Sequence, residues 1–251
     1  MLIVSPRRSV AEARQTRADI LAKSVRLAST EGLEGLTIGR LATALDMSKS
    51  GVLGHFGSKE ELQLAVVDAA ADMFTREVAD RARGTTPGLP KLLAMCAAWV
   101  SYLERRVFPG GCFFTAAAAE FDDRPGRVRD AIAGLTTVWN RDRYRQVRTA
   151  TDEGALPPDT DADQLVFELS GVILALNYAL QLHRDTTAPG RARRALGRLL
   201  GYPIAVTTLL TAMATHTIAW SRGAEARSRR RGRGRPRLRG RRLWARRGQR
   251  A

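Results

Sequence analysis

Between Leu36 and Lys59 the chain reads LTIGRLATALDMSKSGVLGHFGSK. Two short helices that cross each other closely need a small residue at the crossing. They also need a turn residue that tolerates the left-handed backbone region, and an apolar anchor on the second helix. Counted from Ile38, Ala42, Asp46 and Val52 supply these three requirements in order. Asp is one of the few residues besides Gly that enters the left-handed region at modest cost. Leu41, Leu45, Met47 and Phe56 complete an apolar face that a further helix must cover. The spacing predicts helices over 38–45 and 49–55, joined as a helix-turn-helix.

That unit points to double-stranded DNA, because its second helix fits the major groove with its N-terminal residues against base edges. Ser48 is the expected N-cap of the second helix, which leaves Lys49, Ser50 and Gly51 at its DNA-facing end. Gly51 lets the backbone approach closely. Thr37 is the expected cap of the first helix, its hydroxyl and the helix N-terminus aimed at a phosphate. His55 stands open between packing beside Phe56 and binding phosphate. Lys59 begins the following helix and is placed to contact the backbone from the other side.

The remaining pattern is helical. Residues 1–12 read as a basic arm, and a helix is expected over 13–31, with Ile20, Leu21, Ser24, Leu27 and Ala28 on one face. Ser58 and Glu61 have capping-box spacing for a helix running to about Arg83. Further helices are expected over 89–107, 111–121, 125–153, 162–184 and 189–200, separated by Pro- and Gly-containing breaks. No segment alternates strictly, so no strand is expected. The helix over 162–184 is apolar on more than one face, as in a central core helix or one at a subunit interface. The resulting expectation is an all-α protein. An arm (1–12) and a helix-turn-helix domain (13–60) precede a helical ligand-binding and dimerisation domain (61–200) and an extension (201–251).

Net charge is +16 over 251 residues, which favours an anionic partner. Arg222–Ala251, however, holds fourteen Arg against Glu225 alone, so thirteen of those charges lie in the last thirty residues. The rest of the chain is only mildly basic. Such an Arg-, Gly- and Pro-rich tail cannot bury a core and is expected to be disordered alone. Its GRGRPRLRG stretch is similar to an AT-hook core, with Arg233 and Arg235 as minor-groove candidates. Non-specific phosphate binding is the alternative role for the tail.

From Arg17 to Leu62 the chain resembles the TetR/AcrR family of bacterial transcription regulators. The resemblance is carried by R-x-x-I-L-x-x-x-x-x-L-A at Arg17–Ala28 and G-L-x-x-L-T-I-x-x-L-A at Gly32–Ala42. M-S-K-S-G-V-L-x-H-F-x-S-K-E-E-L at Met47–Leu62 completes it. C-F-F at Cys112–Phe114 and E-F-D-D-R-P-G at Glu120–Gly126 resemble one recurrent subtype of the family's second domain. The resemblance implies a homodimer that binds a two-fold-related operator and is released by a small-molecule effector, most often as a repressor. Two departures stand out. Leu53 occupies a position where the family usually has Tyr or Phe, beside Gly54, so an expected phosphate hydrogen bond is missing. The segment after about Gly201 is also unusual for the family.

Candidate effector-pocket residues are Trp99, Tyr102, Cys112, Phe113, Phe114 and Trp139, each of which could equally be core. Asn177 is open between a pocket contact and an interface hydrogen bond. Cys96 and Cys112 form no C-x-x-C motif, and the opening MLIVSPRRSV lacks a signal-peptide pattern, so a cytoplasmic, nucleoid-associated protein is expected. His55, His183 and His216 lack metal-ligand spacing, and no nucleophile motif or phosphate loop occurs. Neither an enzyme, a cofactor nor a metal is expected. Pro203–Trp220 is near the lower length for a membrane span but is Thr-rich, and no stable membrane association is expected. The alternative class is an architectural protein that coats DNA through its Arg-rich tail.

Overall fold

The computed structural model describes residues 10–204. The expectations for residues 1–9, for the segment from 205 to Trp220 and for Arg233 and Arg235 lie outside the described residues. Nine α-helices and no strand occur among the described residues.

α1 (Val10–Glu31) is longer than expected: it begins three residues earlier and takes in part of the anticipated arm. Its buried side, with Ile20, Val25 and Ala28, covers α2 (Ile38–Leu45) and α3 (Lys49–Phe56). Leu41, Ala42 and Val52 are buried between these helices, as the spacing requires. Asp46 ends α2 in the left-handed region (φ 53°, ψ 44°), and its N–H donates to the end of α2.

α4 (Lys59–Phe74) is capped by Ser58, whose hydroxyl accepts the Glu61 N–H at 3.1 Å. The other half of the anticipated capping box is diverted, because Arg127 engages the Glu61 carboxylate at 2.6 Å. The helix expected to reach Arg83 regularly instead changes pitch after Phe74. A π-helical turn (Thr75–Ala79) and a 3-10 turn (Asp80–Ala82) complete it. The expected boundary between residues 60 and 61 falls in the first turn of α4. That helix runs unbroken from the first three helices into the second half of the fold.

α5 (Leu89–Glu104), α6 (Phe113–Phe121), α7 (Arg127–Asp152), α8 (Ala162–Gln181) and α9 (Ala188–Leu200) complete the described chain. α5 packs against α7, α8 and α9, and α6 packs against α7. α8 buries Leu165, Leu169, Ile173, Leu176 and Leu180 on one side. Its second apolar face is not core: Phe167, Leu174, Tyr178 and Leu182 are 52–74 % exposed. By length and hydropathy alone α8 is the one helix among the described residues that could cross a membrane. Its inner side, however, is packed on protein.

Candidate nucleic-acid interface and its link to the aromatic core

The N-terminus of α3 is built by local hydrogen bonding. The Ser48 hydroxyl accepts the Gly51 N–H at 3.0 Å and lies 3.2 Å from the Ser50 hydroxyl. A side chain at Gly51 would press on that cap, since an added Cβ would stand 3.0 Å from Ser48 Oγ. Ser48, Lys49 and Ser50 are all exposed. The stem of Lys49 crosses α2 at Gly39, where an added Cβ would come within 3.2 Å of its Cε. Thr37 caps α2, accepting the Arg40 N–H at 3.1 Å, and is exposed. Two capped, solvent-facing helix N-termini with free N–H groups are well suited to anions.

The far end of α3 is held by α1. The Arg17 guanidinium lies 4.3 Å above the Phe56 ring and donates to the His55 carbonyl. His55 is half-buried beside Phe56. Leu53 and Gly54 are exposed, and nothing lies within 4 Å of a Cβ built on Gly54. The departure from the family pattern at Leu53 and Gly54 therefore faces outward and is not absorbed by packing.

Lys59 has a partner inside the chain. Its Nζ donates to Glu34 Oε1 at 2.7 Å, and Gln63 Nε2 donates to Glu34 Oε2 at 3.1 Å. Lys59 and then Gln63 hold the Glu34 carboxyl below its ordinary range. Gln63 also donates to the Leu33 carbonyl at 3.0 Å. The turn between α1 and α2 is thus tied to α4.

The same turn is tied to α6. The Glu120 carboxylate accepts the Leu33 N–H at 2.7 Å and the Glu34 N–H at 3.0 Å. Beside this clamp, Gly110 packs on the end of α1 so closely that a Cβ there would lie 1.5 Å from the Ser29 carbonyl oxygen. The neighbouring Cys112 N–H donates to Asn177 Oδ1 of α8 at 2.9 Å. Asn177, left open by the sequence, is therefore bonded to the loop that leads into α6. Residues of α4, α6 and α8 all converge on the α1–α2 turn or the loop packed against it.

Trp99, Tyr102, Phe114 and Trp139 come together around Phe74, which the sequence reading did not single out. Ring centres lie 4.4 Å from Phe74 to Trp139, 4.6 Å from Phe114 to Trp139, and 5.5–5.6 Å from Phe74 to Tyr102 and Trp99. Phe113 continues the cluster, 5.2 Å from Phe114. Tyr102 is 1 % exposed. Burial, with the Cys112 thiol beside it, pushes its phenol far above the ordinary value. Cys112 is buried at the edge of the same group. Trp99 and Trp139 are half-buried and form its outer side. Two surface concavities lie on α9 around Arg194 and Tyr202 and between α6 and α7 around Phe121 and Ile132.

The family model for bacterial regulatory proteins of the tetR family matches residues 20–66. That for the tetracyclin repressor-like C-terminal domain matches residues 88–196. The chain belongs to the TetR family of transcriptional regulators. A TetR transcriptional regulator from Chloroflexus aurantiacus J-10-FL superposes with a TM-score of 0.70 at 25 % identity, covering 77 % of this chain and 96 % of that one. AibR, solved with isovaleryl coenzyme A and operator DNA, gives 0.62 at 21 % identity over 73 % and 97 % of the two chains. A protein from Saccharomonospora viridis, solved with choline, gives 0.62 at 20 % identity over 75 % and 96 %. No protein of curated function matches the sequence. In this TetR-family chain the residues matched to the first family model span the α1–α2 turn and the start of α4, where Glu34 and Lys59 meet.

Proposed function

We propose that this TetR-family regulator is a homodimeric repressor, released from a two-fold-related operator by a small molecule. The observation that carries this reading is the capped and exposed N-terminus of α3, set at the end of a turn held at Asp46 in the left-handed region. Lys49 and Ser50 are assigned to base edges and adjacent phosphates, with Ser48 and Gly51 shaping the helix end that approaches them. Thr37 and His55 are assigned to phosphate. Lys59 contributes from the start of α4: an ammonium has three donors, and Glu34 takes one.

The exposed stripe Phe167, Leu174, Tyr178 and Leu182 supports pairing with a second copy, since burying it removes apolar surface from water. Pairing of two copies sets two α3 helices at the spacing of successive major grooves, about 34–36 Å. A ligand that parts the rings between α4, α5, α6 and α7 displaces the Phe74 end of α4 and the Phe114 end of α6. Those helices hold the α1–α2 turn through Gln63, Lys59 and Glu120, so the spacing of the two α3 helices changes. Operator affinity falls by whatever free energy separates the two spacings.

Footprinting on DNA upstream of the coding sequence tests the reading. One short protected palindrome of two half-sites is expected, lost on adding an effector. Uniform protection with no discrete site would overturn it.

A further inference from the structure

Arg143 is 5 % exposed on α7, and no carboxylate among the described residues forms an ion pair with it. Its guanidinium lies 4.5 Å from the centre of the Trp99 ring and donates to Asn140 Oδ1. Its Nε–H is buried without an acceptor, and so is the Trp99 Nε1–H of the same stacked pair. Burial lowers the Arg143 pKa to about 10, which still leaves it charged at neutral pH. Nearby Cys96 has its thiol pushed up to about 12 by burial and is neutral. The adjacent Asp142 is taken up by Arg145 at 3.1 Å and Gln146 at 3.3 Å.

A buried cation with idle donors is unfavourable unless something completes it. Both idle groups are donors, so the missing partner is an acceptor, and the single unpaired charge calls for a single negative one. The surroundings are apolar: Trp99 contacts Phe74, and Phe74 contacts Phe114 and the half-buried Trp139. The backbone next to Phe74 is the π-helical turn Thr75–Ala79, an irregularity frequent at binding sites.

We propose that Arg143 and Trp99 form the anion-binding end of the effector site, and that the effector is a small carboxylate with an apolar or aromatic body. The carboxylate accepts from Arg143 Nε and Trp99 Nε1, and the body replaces ring contacts of Trp139. This rests on the reading of the chain as a regulator that answers to a small molecule.

Calorimetric titration and thermal unfolding of the full chain test it with phenylacetate and octanoate, their amides, and phenyl phosphate. The acids should bind at least about tenfold more tightly than the amides, because a charge-assisted hydrogen bond is worth more than a neutral one. Phenyl phosphate should bind more weakly than phenylacetate, since only one cation is available for two charges. Arg143→Met should erase the preference for acid over amide. Trp99→Phe, which keeps a ring and loses a donor, should weaken acid binding while sparing the amides. Without ligand, Arg143→Met should melt no lower than the native chain, since methionine strands no charge. The proposal is overturned if acids and amides bind alike, if neither acid binds the native chain, if phenyl phosphate binds best, or if Arg143→Met melts lower or keeps its acid affinity. It is equally overturned if Trp99→Phe binds the acids unchanged. The ligand-free operator footprint reports on the regulator reading by itself, so an intact footprint without acid binding removes this proposal alone.

Discussion

Glu120 on α6 holds Leu33 in the turn before α2: Oε2 accepts the Leu33 N–H at 2.7 Å, while Oε1 accepts the next N–H, that of Glu34, at 3.0 Å. A carboxylate with two acceptor oxygens fits two successive amides, and its charge makes both bonds stronger than neutral ones. Gly32 makes room for it: φ there is 85°, and a Cβ would stand 2.6 Å from Glu120 Oε1. Glu120→Gln keeps the shape but sets an amide NH2 against one backbone N–H. It should destabilise the chain by about 1–3 kcal/mol in denaturant unfolding. Operator affinity should fall with it, and the response to effector should shrink, because the α6 tie to the turn is weakened. An unchanged response would show that α4 alone carries the coupling.

Gly110→Ala should be far more damaging. The added methyl would coincide with the Ser29 carbonyl, 1.5 Å away, and that atom is helix backbone with little freedom to move. The loop must lift off α1, losing the Gly110–Ser29 contact and disturbing the bond from Cys112 to Asn177. A loss of about 3 kcal/mol or more is expected from overpacking of this kind. Urea unfolding checks it.

The helix-turn-helix was legible because its constraints are local. Ala42, Asp46 and Val52 each answer a demand set within one supersecondary unit, and the structure places all three as the spacing implies. The Glu120 clamp was not legible, although Glu120 opens the E-F-D-D-R-P-G motif. Its partners are backbone amides more than eighty residues away, and backbone groups carry no sequence signature. Arg143 was hidden among Arg141, Arg145 and Arg148. One signal pointed to it: it lies four residues from both Trp139 and Val147, on the inward stripe of α7. The π turn after Phe74 interrupts a run whose composition reads as plain helix.

Leu174→Glu tests the proposed dimer. Leu174 is 52 % exposed in the middle of the α8 stripe, so the change should leave the fold of a single chain nearly intact. In a symmetric pair it would bury two carboxylates near the two-fold axis, which is strongly unfavourable. Sedimentation should show the native chain as a dimer and the variant as a monomer, with operator binding lost alongside. A dimeric variant would move the interface elsewhere.

Lys49→Ala should remove the footprint at moderate salt. Lys49 is exposed, with its stem laid over Gly39, so the substitution costs little stability. If its ammonium meets a phosphate, affinity falls uniformly across operator variants and the salt slope drops by about one. If it meets a base, one position of each half-site loses its preference instead. Gel shifts over a salt series and a set of single-base operator variants separate the two. Full protection by the variant would refute the placement of α3.

Leu53→Tyr is the opposite experiment, a gain. Leu53 is 42 % exposed on the outward side of α3, next to Gly54, where a Cβ would meet no atom within 4 Å. An aromatic ring there has space, and its hydroxyl supplies the phosphate hydrogen bond that leucine cannot make. One hydrogen bond to a charged acceptor contributes about 1.5 kcal/mol or more, so operator affinity should rise about tenfold. The salt slope should stay constant, because tyrosine adds no charge and displaces no further counterion. This separates it from Lys49, whose removal alters affinity and slope together. A tyrosine that leaves affinity unchanged would mean that the backbone runs past α3 on another side, and that Thr37 and Lys59 carry the phosphate contacts without it.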